Sequence, residues 1–529
     1  MTCATSETAS RGGVGMDVDV NAVPRREPAM EAWEVMTSES QERMLAIVTP
    51  DALDRVLEVC HRWEVRATVI GHVTGSGQLR ILDGFDGPVL ADIPAVTLHE
   101  DAPLYDRPMS PPADRATRRA DDPAGLPAPE DPGADLLALL ADLSWVYRQY
   151  DHQLFLNTVV APGGDAALLR LAAPGVPAPP SGVRRGLALS TDGNGRWCAI
   201  DPRAGTALLV AESTLNVACV GARPVALVNC LNFGNPEHPE VMWQLSEAID
   251  GMADACRALS VPVIGGNVSL YNESRGRDID PTPVVGALGL VDRLERRPPG
   301  VALVEGSHIL LVGAGVRAET GIGLPTAGGP DAQLGPEPGP EAEVGPEAEP
   351  GPEAEPGSGA GPGVVRVTSL AGSRWAVELH GHRGGQLPSL DLELHGRMVE
   401  LVRGLVGDVD ELLDGVHDIS DGGVGVALAE MAMRSEIGFR VAGIADHADL
   451  FGEGPSRVIL IVPDASLAAV GGRVEAAGIG WVRLGQAGGD RLVVEGLLDI
   501  SLTDALDVWR DALPAALGVL TEGIAGSNR

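Results

Sequence analysis

Apolar residues recur every three or four positions through Val241, Leu245, Ile249, Met252, Cys256 and Leu259, the spacing that lines one face of a helix. Short continuous apolar runs flank this stripe, Val225-Ala-Leu-Val228 before it and Val261-Pro-Val-Ile264 after it. The pattern predicts a strand-helix-strand unit. Each predicted strand opens onto a segment rich in glycine and asparagine, Asn229 to Pro236 and Gly265 to Glu273, expected as loops at the strand ends. Such loops gather small ligands because their backbone N–H groups are free and their side chains converge.

Two distant stretches share another pattern. Glu7-Thr-Ala-Ser-Arg11 and the strand-like Met16 to Val20 line up with Glu430-Met-Ala-Met-Arg434 and Gly438 to Val441. Ser38 to Val48, ending in a predicted apolar strand Met44 to Val48, lines up with Gly452 to Val462. In both, a Pro-Asp pair, a helix-like segment and a closing apolar strand follow, so the chain carries a long-period duplication. The second copy's helix is preceded by Val416-His-Asp-Ile-Ser-Asp-Gly-Gly423, while nothing precedes Met1, so the first copy is expected to be truncated at its N-terminal side.

Four regions follow. Residues 1–107 form the truncated first copy, 108–134 a linker rich in proline, alanine and charge, 135–300 a compact α/β unit holding the strand-helix-strand pattern, and 301–529 the second copy. Within the last, Gly339-Pro-Glu-Ala-Glu-Val344 begins a six-residue repeat. A Gly/Pro/Glu tract cannot bury a core, so an acidic insertion at about 325–363 is expected to be disordered and without catalytic role.

Composition narrows the function classes. With 39 basic and 74 acidic residues the net charge is −35, which opposes nonspecific binding to nucleic acid or anionic membrane. The six cysteines lack CxxC spacing, which suggests neither a zinc site nor a disulfide framework. No apolar run reaches the roughly 18 residues of a membrane span and no leader pattern opens the chain, so a soluble, cytoplasmic protein is expected.

Candidate chemistry concentrates in three places. Gly265 and Gly266 would let a phosphate approach their backbone, Asn267 can offer an amide oxygen to Mg²⁺, and Ser269 a hydroxyl to a phosphate or amide. By itself Gly-Gly-Asn also fits a tight turn. In Ser38-Glu-Ser-Gln-Glu-Arg43, Glu39 and Gln41 would share one face of an extended segment with Ser40 on the other, or the segment is a capped turn. In Asp418-Ile-Ser-Asp-Gly-Gly423, Asp421 could cap the following helix and Asp418 bridge a Mg²⁺. His152 and His417 are expected to be structural.

The wording of these motifs is more specific than their composition. Cys230-Leu-Asn-Phe-Gly-Asn-Pro-Glu, Pro262 to Glu273, Tyr150-Asp-His-Gln, Pro162-Gly-Gly-Asp165, Pro281-Thr-Pro-Val-Val285 and Asp418 to Gly423 resemble the large, synthetase subunit of phosphoribosylformylglycinamidine synthase, and the resemblance covers most of the chain. It implies an α/β fold of the aminoimidazole ribonucleotide synthetase type, with one barrel-forming domain, one complete flanking domain and one N-terminally truncated flanking domain.

The resemblance also implies ATP-dependent amidation of formylglycinamide ribonucleotide in purine biosynthesis. ATP phosphorylates the formamide oxygen, ammonia attacks the carbon of the resulting iminophosphate, and phosphate then leaves. Carried over by position, Glu39, Ser40, Gln41 and Ser269 contact substrate, Asn229 and Gly266 contact ATP, and Asn267 ligates Mg²⁺. Asp418 and Asp421 fall in an auxiliary nucleotide site. A glutaminase subunit and a small bridging subunit are the implied partners.

Two departures stand out. The family usually has aspartate where Asn229 stands, and its catalytic His-Asn-His-Pro-Ser stretch occurs nowhere in this sequence, so no catalytic residue is assigned. Three readings remain: the C-terminal portion of a glutamine-dependent synthetase subunit, a non-catalytic nucleotide- or partner-binding remnant of it, or another ATP-using member of the superfamily. The Ser38 to Gln41 motif weighs against the third.

Overall fold

A computed structural model describes residues 1–25, 27–38, 43–172, 175, 177–316 and 369–518. The Gly/Pro/Glu repeats and the substrate candidates Glu39, Ser40 and Gln41 lie outside them. The protein is α/β and divides into two compact units, Met1–Asp106 and residues from Arg107 onward.

In the first unit, the helix Thr2–Gly12 closes on Gly13, whose left-handed φ of 62° ends it. Strands β1 (Gly15–Asp19), β2 (Gly71–Thr74), β3 (Gln78–Leu82) and β4 (Val89–Pro94) form a sheet in the order β2-β1-β3-β4. β1 runs antiparallel to β2 and parallel to β3, and β3 is antiparallel to β4. Ala9, Met16, Val18, Val35, Leu79 and Ile81 make its core.

The larger unit holds two main sheets. The first contains β5 (Thr158–Val160), β6 (Ala167–Arg170), β7 (Arg184–Gly193), β8 (Arg223–Asn232), β9 (Val263–Ser269) and β12 (Thr282–Leu294), in the order β5-β6-β7-β12-β8-β9, while β10 (Glu273–Ser274) and β11 (Arg277–Asp278) form a small hairpin. The sheet is open, with β5 and β9 at its edges, and no closed barrel occurs among the described residues. The helices Pro202–Cys219 and Pro239–Leu259 cover one face. On the sheet, Leu189 and Val228 are each 45% exposed, so the opposite face carries bare apolar side chains.

The helix Pro202–Cys219 starts at Asp201, whose carboxylate accepts from the Ala204 N–H, with Pro202 in the first turn. The predicted strand-helix-strand unit is present as β8, Pro239–Leu259 and β9, with the two strands parallel. Two details correct the sequence reading. Ile249 is 46% exposed, while Ala248 and Gly251 fill the seam, because a Cβ at Gly251 would strike the Arg203 carbonyl. Asn229 to Asn232 and Gly265 to Ser269 are strand rather than loop, because β8 is paired on both sides, by β12 and β9.

The expected linker is ordered. Its Arg115–Ala120 helix sends Arg115 and Arg119 to Asp201 at 3.1 and 2.8 Å and Arg118 to the Ala199 carbonyl at 2.8 Å.

The second sheet contains β13 (His308–Gly313), β14 (Gly415–Asp418), β15 (Phe439–Val441), β16 (Arg457–Val462), β17 (Trp481–Ala487), β18 (Arg491–Val494) and β19 (Leu498–Ser501), in the order β14-β16-β13-β17-β15-β18-β19. Its β17-β15-β18-β19 portion repeats β2-β1-β3-β4 with the same strand directions. The duplication read from the sequence is therefore a duplication of structure.

One expected element of the first copy is missing. Met44 to Val48 forms no strand, and Met44 and Ile47 are 93% and 53% exposed. Its counterpart, Val458 to Val462 of β16, is hydrogen-bonded between β13 and β14. The described residues of 1–106 supply no equivalent of either neighbour, and a strand without a ladder leaves its backbone groups to solvent.

Candidate functional site

The ladder between β8 and β9 assembles the first candidate site. Asn229 pairs with Gly266, Cys230 with Asn267 and Asn232 with Ser269, so Asn229, Gly266, Asn267 and Ser269 stand on adjacent parallel strands. Strand alternation divides them. Asn229 and Gly266 face the helix side, where Asn229 Nδ2 lies 3.5 Å from Met252 Sδ, and Asn267 and Ser269 share the opposite face with Cys230 and Asn232. A Cβ at Gly266 would collide with the Asn229 side chain and carbonyl. Glycine is what lets the strands close there.

The segments that follow these strands are tied together. The Asn235 N–H and His238 Nδ1 each lie 2.7 Å from the Asp278 carboxylate, which raises the His238 pKa. The Tyr271 N–H donates to the Gly234 carbonyl at 2.8 Å. Asn272 Nδ2 donates to the carbonyls of Phe233 and Ser269, at 2.9 and 2.8 Å.

A second constellation lies around Asp418. Asp165 Oδ1 is 2.5 Å from His417 Nδ1, Asp418 Oδ1 is 3.6 Å from the same nitrogen, and Glu430 lies 3.5 Å from Nε2. Burial disfavours the imidazolium, yet Asp165, Glu430 and Asp418 together hold the His417 pKa well above its ordinary value. The His152 ring, by contrast, meets the Tyr150 carbonyl at 3.2 Å and the Tyr147 ring among the described residues.

Further acids converge here. Burial pushes Asp192 and Glu453 each up to about 7, although Ser190 and Asn216 bind Asp192 and Arg196 offsets part of the shift at Glu453. Glu212 and Asp418 are raised well above the carboxylate range, first by burial and then by neighbouring carboxylates. Glu453 Oε2 and Asn216 Oδ1 are buried acceptors without a hydrogen-bond partner among the described residues. A cavity of about 20 Å³ lies among Glu212, Asp418, Glu453, Trp197 and Ser456, room for about one water or ion. Among the described residues, the side chains close enough together to share one metal ion are Asp165, His417 and Asp418, and hard oxygen donors suit Mg²⁺ or Ca²⁺.

Asp421 behaves differently from the sequence expectation. The Gly423–Ser435 helix is capped by Gly422 at φ 83°, with no side-chain cap. Asp421 sits one residue too early, and its carboxylate pairs with Arg196 while Glu453 takes the Gly422 N–H at 2.8 Å.

Sequence reasoning assigned no role to Asp165, Asp192, Glu212, Asn216 or Glu453. One signal was available: Glu212 and Asn216, four apart, are polar residues on one face of a helix whose other buried positions are almost all apolar or small.

A family model for the AIR synthase related protein, N-terminal domain, matches residues 163–291, and one for the AIR synthase related protein, C-terminal domain, matches residues 1–84 and 365–496. The subunit PurL of phosphoribosylformylglycinamidine synthase from Thermomicrobium roseum is 41% identical over 97% of this chain and 63% of its own length. The same subunit from Anaeromyxobacter dehalogenans is 39% identical over 98% of this chain. The chain thus spans 63% of the length of these curated relatives. Structures of T. maritima PurL complexed with ATP and with FGAR each cover 92% of this chain at 22% identity with a TM-score of 0.54, covering 61% and 60% of the solved chains. At that identity they are evidence of the fold alone.

Proposed function

The chain belongs to the phosphoribosylformylglycinamidine synthase large-subunit family, within the AIR synthase related proteins, and on that premise we propose that it binds ATP and formylglycinamide ribonucleotide for the ATP-dependent amidation of purine biosynthesis. The observation that carries this reading is the β8–β9 register, which brings Asn229, Gly266, Asn267 and Ser269 to neighbouring strands. Gly266 and Asn229 would meet ATP, and Ser269 the substrate, a role the family resemblance also gives to Glu39, Ser40 and Gln41. Asn267 would hold Mg²⁺, which neutralises phosphate charge. Orienting the formamide oxygen is the chain's own contribution to the rate.

The bare apolar face of the first sheet supports its reading as barrel-forming, with a second sheet packed on it. Ammonia would come from a glutaminase subunit, with a small bridging subunit, in the cytoplasm. The cavity lined by Asp418, Glu212 and Glu453 is the better candidate for the metal of the auxiliary nucleotide site, and Asp421 pairs with Arg196 instead.

Asn229 in place of aspartate favours a second reading, a nucleotide-binding remnant without turnover. Calorimetry with Mg·ATP and formylglycinamide ribonucleotide tests both. Gly266→Ala is expected to weaken ATP at least tenfold, since the added methyl overlaps Asn229. ATP binding unchanged by that substitution would sink the nucleotide assignment. Binding with no turnover in the presence of ammonia and the subunits of a family complex would favour the remnant.

A further inference from the structure

We propose that Asn272 fixes the hydrogen-bonding polarity of Ser269, so that Ser269 offers the substrate only lone pairs and recognises an N–H or O–H group rather than a phosphate. The inference rests on the reading above that Ser269 faces substrate.

Asn272 is held on every side. Its backbone N–H donates to the Phe233 carbonyl at 3.2 Å, and its own carbonyl accepts from the Ile279 N–H at 3.2 Å. The side-chain Nδ2 donates to two carbonyls, Phe233 at 2.9 Å and Ser269 at 2.8 Å. Rotating the amide by half a turn would set Oδ1 against both oxygens, so the orientation is chemically determined. The preceding residue, Tyr271, adopts a left-handed φ of 60° and is itself pinned to Gly234, which leaves the turn little freedom.

The consequence falls on Ser269. Oδ1 of Asn272 lies 3.2 Å from Ser269 Oγ and carries no proton, so it can only accept. A serine hydroxyl has one proton and two lone pairs. With the proton committed to Asn272, the remaining face of Oγ is purely an acceptor. Formylglycinamide ribonucleotide offers amide N–H groups and ribose hydroxyls that match this face, and a phosphate whose oxygens do not. Asn272 is a positioning residue that acts through Ser269.

Two measurements test this on the full chain. Neutron diffraction of the deuterium-exchanged protein should place the Ser269 deuteron between Oγ and Asn272 Oδ1; a deuteron pointing to the open side overturns the proposal without reference to any ligand. Calorimetry uses formylglycinamide ribonucleotide and inorganic phosphate as separate probes. Ser269→Ala should weaken the ribonucleotide about two- to tenfold, the worth of one neutral hydrogen bond, and leave phosphate unchanged. Asn272→Ala should weaken it by a similar factor, and the double variant should be no weaker than Ser269→Ala alone. Additive losses, or weakened phosphate binding in Ser269→Ala, overturn it. If the unaltered chain binds neither the ribonucleotide nor ATP, the proposed function falls, and the deuteron position still decides the polarity. The same measurement decides the matter if Asn272→Ala does not fold.

Discussion

The two copies of the flanking fold share strand order and direction in four strands, and differ in what lies beyond them. In the second copy β13, β14 and β16 extend the sheet and the helix Leu467–Ala476 packs on it through Val470 and Val474; in the first, Met44 to Val48 is unpaired and the corresponding helix, Leu53–Arg62, buries no residue. Even a detail is repeated. Arg43 Nη2 donates to the Ser38 carbonyl at 3.0 Å, and Arg457 Nη2 to the Gly452 carbonyl at 2.8 Å, five residues back in each case. An arginine at the same offset thus makes the same local bond in both copies, whereas the strand forms only where neighbours exist. Apolar strand propensity is conditional on a ladder.

The strongest way to break this comparison is to truncate the same position in both copies. Ile461, fully buried between Ile309 and Gly415, should cost about 2–5 kcal/mol as Ile461→Ala, while Ile47→Ala should stay within about 0.5 kcal/mol. Hydrogen exchange reads the two regions separately. Equal losses would mean that Met44 to Val48 is packed in solution.

A smaller effect is expected at the arginines. Arg457 is 2% exposed, and burial draws its pKa down to about 10. Arg457→Ala should destabilise by on the order of 2–3 kcal/mol, as for a buried bond to a charged group, and Arg43→Ala hardly at all. Denaturant titration followed by exchange in β16 checks it.

How much of this was legible in the sequence varies by element. The β8, Pro239–Leu259, β9 unit was legible because each element carries its own period. The strand character of Asn229 to Asn232 was not, since polar residues there are held extended by β12, some fifty residues later. The acidic cluster was hidden for a related reason: Asp165 in the β5–β6 turn, Asp192 on β7, Glu212 on the Pro202–Cys219 helix and Asp418 on β14 are far apart in the chain, and no local spacing joins them. Asp421 was misread because the left-handed Gly422 takes the cap position that a side chain would otherwise fill.

The smallest effect sets the acid-rich larger unit against the first copy. Asp192 and Glu453, raised to about 7 when folded, keep protons that unfolded carboxylates release near pH 4. Their contribution is therefore fully present below about pH 4 and is lost as pH rises through about 7. Exchange in β7 and β14 should quicken over that window more than in β1, and Asp192→Asn or Glu453→Gln should flatten the slope. Millimolar Mg²⁺ at pH 7.5 should reverse part of the loss. No response to Mg²⁺ would count against a metal in the cavity beside Asp418.

β12 lies between β7 and β8 yet follows both in the chain. During synthesis, about 60 residues separate the end of β8 at Asn232 from the end of β12 at Leu294. At roughly 5–20 residues per second the emerging chain would hold two unjoined strands for roughly 3–12 s. Ribosome-stalled chains ending just before Thr282 should be cleaved readily by protease in β7 and β8, and those extended well past Leu294 should resist; equal resistance would contradict this order of assembly. For those seconds β7 and β8 are a vulnerable intermediate, and the central strand acts as the latch that ends it.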